Sequence, residues 1–297
     1  MQQIDNLMTN FIRELGYDYA NEMFLKVSSG KKLRSKLLLK IAPNTDEAFR
    51  LCAIIELIHL ASLLHDDVID DANLRRGKPS INALFGTKDA IMLGDILYSK
   101  GFFELCKFDK SISLEISNAV SKLSIGELMD VKLSCDFNAD ISKYLKMIEY
   151  KTAVLIEASA VCGAILAGFN ADKFRIYGKN LGLAFQIIDD VLDITQDEKT
   201  LGKPNLNDFK EGKVTLPYLY LCQNLDKNGA DRLKNLYKKE LDSQEKEWIK
   251  NSMIEHKSIQ KSVTMAKNLA QEAIEAISEY KNDGLEEIIK SMIDREF

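Results

Sequence analysis

Apolar residues recur at three- and four-residue intervals along Asp46–Asp66, Lys88–Cys106, Ser111–Leu133, Ile141–Leu166 and Lys173–Ile194. That spacing puts them on one face of a helix, whereas a half-buried strand alternates every second residue. No convincing alternation lies between these segments, so the pattern predicts an all-α bundle. Four prolines occur and none lies within Ser80–Lys203, so long helices can run there without a missing donor or a ring clash. Val154–Ala167 and Leu181–Leu192 are apolar nearly all round, as central helices are. After about Asn224 the segments Leu233–Leu241, Lys246–Met253, Val263–Tyr280 and Leu285–Ile293 are amphipathic, as outer helices are. Breaks at Ser28–Gly30, Arg76–Pro79 and Gly202–Asn207 punctuate the bundle. No flexible linker divides the chain, so one domain over residues 1–297 is expected.

Composition changes this picture little. An apolar fraction of 46% suits a globular chain, and a net charge of −5 gives no global reason to bind nucleic acid. Cys52, Cys106, Cys135, Cys162 and Cys222 are scattered without a CxxC pair, which fits a reducing compartment. The start, Met1-Gln2-Gln3-Ile4-Asp5, lacks the basic and apolar regions of a signal peptide, and Val154–Phe169 is too short to span a bilayer. A cytoplasmic protein without a membrane anchor is expected, with peripheral membrane contact for product release left open.

The chemistry concentrates in two acidic runs. In His65-Asp66-Asp67-Val68-Ile69-Asp70-Asp71 a helix puts Asp66 and Asp70 one turn apart on one face, and in Asp189-Asp190-Val191-Leu192-Asp193 it does the same for Asp189 and Asp193. Each run ends a strongly apolar helix, so the carboxylates stand at the rim of the core. One such cluster is as readily a solvated helix end, but two alter the balance. Like charges ~4 Å apart repel by about 4 kcal/mol at an effective dielectric of ~20, so converging carboxylates need cations. Oxygen donors without histidine or cysteine suit Mg²⁺, which binds through one or two carboxylates, waters and substrate phosphates. Basic residues match such a guest: Lys31, Lys32 and Arg34 open a helix after a small-residue turn, and Arg75-Arg76-Gly77 follows the first acidic run. Lys203 and Lys213 follow the second, and Lys151-Thr152 lies inside an apolar helix, where a lysine needs a cavity or a partner.

Leu60 to Asp70 followed by Arg75-Arg76-Gly77-Lys78-Pro79, and Phe185-Gln186-Ile187-Ile188 followed by Asp189 to Asp193, resemble the two aspartate motifs of the trans-prenyl diphosphate synthase family. The resemblance runs from about Ser28 to Pro217. It implies a helical bundle around a deep cavity, usually a homodimer, that lengthens an allylic diphosphate with isopentenyl diphosphate. By it, Asp66, Asp67 and Asp70 hold two Mg²⁺ ions, and Asp189, with Asp190 and Asp193, holds a third. Arg75, Lys151, Lys203 and Lys213 grip the leaving diphosphate, with Gln186 and Thr152 beside it, while Lys31, Arg34, His59 and Arg76 hold isopentenyl diphosphate. The family takes released diphosphate as the base, so no side chain is assigned that role. The first loop departs from the family's Gly-Gly-Lys-Arg-x-Arg-Pro at Ser29, Lys32 and Ser35, and Leu206 stands where glycine is common.

Ala61 and Ser62 lie one helical turn beneath Asp66, where a growing tail would enter, and both are small. Short-chain relatives tend to carry aromatics there, so a long product is expected, hexaprenyl to decaprenyl with octaprenyl central, for a quinone side chain. A short-chain synthase or a silent partner subunit is the alternative within the family. A terpene cyclase would leave Lys31, Arg34 and Arg76 without a role, and a di-iron bundle would need a second Glu-x-x-His beside Glu56-Leu57-Ile58-His59.

Overall fold

A computed structural model describes residues 1–28, 30–196 and 206–293. In chain order it begins with α1 (Gln2–Arg13), α2 (Asp18–Lys26), α3 (Leu33–Ile41) and α4 (Asp46–Ile69). A two-stranded hairpin, β1 (Leu74–Arg75) and β2 (Lys78–Pro79), leads to α5 (Ile81–Phe85), α6 (Thr87–Leu105) and α7 (Lys110–Leu133). Then come α8 (Ile141–Ile148), a π-helical turn (Glu149–Ala153), α9 (Val154–Ala167) and α10 (Ala171–Thr195). The rest is α11 (Asn207–Lys210), α12 (Leu216–Asn224), α13 (Lys227–Leu236), α14 (Ser243–Glu255), α15 (Ser258–Ala276) and α16 (Asp283–Ile293). The all-α expectation holds, and the segment read as one helix over Ile141–Leu166 is interrupted by the π turn.

Two compact units emerge from the packing. Unit 1 takes Met1–Ser121 and Ala158–Arg175, and unit 2 takes Lys122–Glu157 and the chain from Ile176 onward. In unit 1, Thr45 caps α4 by accepting from the Ala48 N–H, and Asp46 and Glu47 put negative charge on its first turn. Leu51, Cys52, Ala53, Ile54, Ile55, Leu57 and Ile58 follow without exposure, and α6 lies along them. By length and composition α4 and Ile141–Ala167 could each cross a membrane, but 67% of each apolar window is buried inside the fold, so the apolarity is used in packing.

Unit 1 also buries a charge. Glu104 on α6 is fully buried and accepts from Arg50 at 2.7 Å, Lys100 at 2.8 Å and Lys107 at 2.9 Å. Burial pushes this carboxyl up, but the bonds from Lys100, Lys107 and Arg50 outweigh it and hold it at about 2. A carboxyl depressed from 4.5 stabilises the fold above that value, and the stabilisation is lost as pH falls toward 2. Glu104→Gln removes the carboxylate that Arg50 and Lys107 share and leaves Lys100 with Glu14 alone, and is expected to cost about 3 kcal/mol in urea unfolding at pH 7. The gap to the unsubstituted chain should narrow as the pH is lowered from 4.5 toward 2.

In unit 2, Tyr144, Tyr177, Tyr218 and Phe209 are fully buried, and the Tyr177 hydroxyl donates to the Leu285 carbonyl at 2.8 Å. α12 packs on α15, and Asp242 and Glu245 form a reciprocal capping box at the start of α14.

Candidate active site

In unit 1 the first acidic run sits at the C-terminal end of α4. Asp66 is half-buried and Asp70 is exposed at the helix C-cap, while Asp67 is buried and points elsewhere. Arg75 donates from Nε to Asp67 Oδ1 at 2.7 Å and brings a second guanidinium nitrogen to 2.6 Å. Arg75 owes that position to the hairpin, in which it pairs with Lys78 across the two-residue turn Arg76-Gly77. Both turn residues have positive φ, 54° and 71°, as the tight turns that match strand twist require.

The same turn projects Arg76 toward the other basic segment. Its Nη1 donates to the Ser28 carbonyl at 3.3 Å, and a Cβ at Gly30 would lie 2.8 Å from two guanidinium nitrogens, so a side chain there would have to push the tip of Arg76 aside. His59 is pushed well below its usual pKa by burial and then by Arg34, Arg76 and Arg75, which makes it a neutral imidazole among three guanidiniums. Burial lowers Arg34 to about 10 despite nearby Glu56, so it stays charged at neutral pH. Lys31 is exposed just before α3. Glu56 Oε1 is held by the Ser35 hydroxyl at 2.6 Å, so the carboxylate needed for a di-iron centre is already bonded. Ala61 is fully buried, and Ser62 donates to the His59 carbonyl at 2.8 Å.

In unit 2 a cavity of about 440 Å³ is lined by Lys151, Thr152, Gln186, Asp189, Asp190, Asp193 and Lys213. The second aspartate run thus shares one cavity with Lys151, Thr152, Gln186 and Lys213. Asp190 is buried and accepts from the Tyr144 hydroxyl and, at 2.9 Å, from Gln186 Nε2. Gln186 Oε1 in turn accepts from the Thr152 hydroxyl at 2.8 Å, which fixes the orientation of that amide. Burial, and then Asp208, raise the Asp190 carboxyl well above its usual range. Lys151 reaches Asp130 at 2.5 Å and Glu127 at 2.9 Å, both on α7. Lys203 lies outside the described residues. Leu206, the first described residue after Lys203, has a φ of 59°, the left-handed region in which glycine is favoured.

The π turn is what carries Lys151 and Thr152, and two bare helix backbones enclose it. A Cβ at Gly126 on α7 would overlap the Lys151 backbone, and one at Gly182 on α10 would overlap Ala153. Extra-wide turns of this kind concentrate at functional sites. Gly126→Ala is expected to move the turn and to lower kcat by about 10²-fold, since ångström misplacement costs that much. Steady-state rates on protein with unchanged circular dichroism check it.

Among the described residues no three His, Cys, Asp or Glu side chains form a preformed metal cage. The first run offers Asp66 and Asp70, and the second offers Asp189 and Asp193. Oxygen donors in pairs, too few to enclose an ion, fit Mg²⁺, which keeps its waters and takes phosphate oxygens.

The polyprenyl synthetase family model matches residues 18–253, which span α2 to α14 and include both aspartate runs. The chain belongs to the polyprenyl synthetase family. Members are trans-prenyltransferases. This polyprenyl synthetase is 45% identical to the octaprenyl pyrophosphate synthase of Helicobacter pylori, whose crystal structure matches with a TM-score of 0.94 over 99% of this chain and 98% of that one. It is 30% identical to the geranylgeranyl pyrophosphate synthetase of Pyrococcus horikoshii, TM-score 0.91, over 99% and 96% of the two chains. It is also 35% identical over 305 residues to the mitochondrial solanesyl-diphosphate synthase 1 of Oryza sativa subsp. japonica, covering 92% of this chain and 68% of the relative.

Sequence reasoning missed Asp130, Glu127, Tyr144 and Asp208 in this polyprenyl synthetase. A lysine in an apolar helix announced that Lys151 needed partners. Gly126-Glu127 and Asp130, on one face of α7, were the only trace of which ones.

Proposed function

We propose that this polyprenyl synthetase condenses an allylic diphosphate such as farnesyl diphosphate with successive isopentenyl diphosphates into an all-trans chain. Its length falls between hexaprenyl and decaprenyl, with octaprenyl central, and the product supplies a quinone side chain. The cavity that gathers Lys151, Thr152, Gln186, Asp189 and Lys213 carries the reading of the reaction. The length rests on the small, buried Ala61 and Ser62 beneath Asp66, and on 45% identity to an octaprenyl synthase.

Mg²⁺ held by Asp66 and Asp70 and by Asp189 and Asp193 would neutralise diphosphate charge. Within these runs, Asp67 and Asp190 serve as braces, since Arg75 and the Tyr144–Gln186 pair hold them. Lys151, Lys213 and Lys203 offer cations to the leaving diphosphate, where charge grows as the carbon–oxygen bond breaks. Thr152 and Gln186, locked together, present a fixed dipole beside it. Arg34, Arg76 and Lys31 hold the diphosphate of isopentenyl diphosphate, and neutral His59 can donate a hydrogen bond to it. No protein nucleophile takes part, because the isopentenyl double bond attacks the allylic cation directly.

The test is incorporation of labelled isopentenyl diphosphate by the purified chain with and without Mg²⁺. Incorporation that stops on adding EDTA and returns with Mg²⁺ supports the reading. No incorporation with Mg²⁺ rejects the reaction, and incorporation indifferent to EDTA rejects the metal.

A further inference from the structure

Tyr237 lies at the C-terminal end of α13, away from both aspartate runs in sequence, yet its hydroxyl faces three backbone carbonyls. It lies 2.9 Å from Ser134 O, 3.1 Å from Asp136 O and 2.9 Å from Gly212 O. Ser134 and Asp136 follow α7, whereas Gly212 precedes Lys213 in the segment before α12. Ser134, Gly212 and Lys213 all line the unit 2 cavity, so the hydroxyl, with one proton shared among these carbonyls, bridges two stretches of its wall. Burial and then Asp136 push the phenol up to about 12, so it keeps the proton it donates.

The surroundings leave this wall little freedom. The Tyr237 ring packs edge-on against Phe137 at 5.6 Å and Phe209 at 5.9 Å, and Phe209 stacks on buried Tyr218 at 4.3 Å. Gly212 has a φ of 90°, and a Cβ there would lie 3.0 Å from Ser134 O and 3.1 Å from the Tyr237 hydroxyl. The Lys213 N–H donates to Asp208 O at 2.7 Å, and the Asp208 N–H donates to Asp193 Oδ2 at 3.3 Å. The segment is therefore fixed at its Asp193 side by the second aspartate run and at its Gly212 side by Tyr237.

We propose that Tyr237 is a positioning residue for the transfer reaction, holding Gly212 so that Lys213 meets the diphosphate in the cavity. This rests on the reading of Lys213 given above. Tyr237→Phe keeps the ring packing and removes only the hydroxyl, so folding is preserved and circular dichroism and melting temperature check it. The KM for the allylic substrate and the inhibition constant of inorganic pyrophosphate should each rise about tenfold, the scale of one lost hydrogen bond, with the KM for isopentenyl diphosphate unchanged. In a Lys213→Ala background the same change should have under a twofold effect, because the group it places is gone. Amide exchange at Gly212–Val214 should accelerate in Tyr237→Phe while that of residues 122–130 stays the same.

Constants within twofold of the unsubstituted enzyme, an equal loss with and without Lys213, or unchanged exchange at Gly212–Val214 would each overturn the proposal. If the unsubstituted chain transfers no isopentenyl unit at all, the functional reading fails instead. The exchange comparison still decides whether Tyr237 holds Gly212.

Discussion

Asp66→Ala is expected to lower kcat for isopentenyl transfer by about 10³-fold, the largest effect foreseen for a single substitution. The donor set explains the size. At the end of α4 only Asp66 and Asp70 are accessible on one face, because Asp67 is buried and bonded to Arg75. Two carboxylates four residues apart, ~6 Å along the axis, leave nothing to replace a lost member. The diphosphate charge would then develop against an incomplete counter-charge, and the Mg²⁺ concentration for half-maximal rate should rise as well. Steady-state rates across a Mg²⁺ series, on protein with unchanged circular dichroism, check this. A loss of under tenfold would mean that Asp66 is a solvated helix end.

Ala61→Phe is expected to change what the enzyme makes rather than how fast it starts. Ala61 is fully buried one turn beneath Asp66. If the growing tail passes this point, a phenyl ring stops it within a few units, and the product shifts from about octaprenyl to geranylgeranyl length or shorter. If the site is simply packed core, the ring costs about 1–3 kcal/mol of stability and leaves product length alone. Chromatography of the dephosphorylated products, with an unfolding curve beside it, separates the two outcomes.

The helical bundle was legible because its signals are local. The apolar spacing of α4, α6, α7 and α10 and the scarcity of proline act within a few residues, and the observed ends fall within three residues of the expected ones. The two aspartate runs were legible for the same reason, since residues one turn apart share a helix face whatever surrounds them. The π turn was not legible. Its cause is the approach of α7 and α10 at Gly126 and Gly182, and a glycine inside a helical pattern does not say which backbone will lie against it. The hairpin at Leu74–Pro79 was read only as a break, because two-residue strands carry no alternation to detect.

Within the site, the residue types were visible and their pairings were not. Asp67 and Asp190 look identical to their neighbours in sequence, yet each is turned into the fold, one by Arg75 and the other by Tyr144 and Gln186. The glycine usual at position 206 has a physical basis in the φ of 59° that Leu206 adopts there, at roughly 1–2 kcal/mol for a residue with a side chain.

The most direct measurement is the length of the product formed from farnesyl diphosphate and labelled isopentenyl diphosphate with Mg²⁺, read by mass spectrometry after dephosphorylation. A ladder ending between hexaprenyl and decaprenyl, with octaprenyl dominant, is the predicted result. A product that stops at geranylgeranyl length, or no incorporation of label, would contradict it.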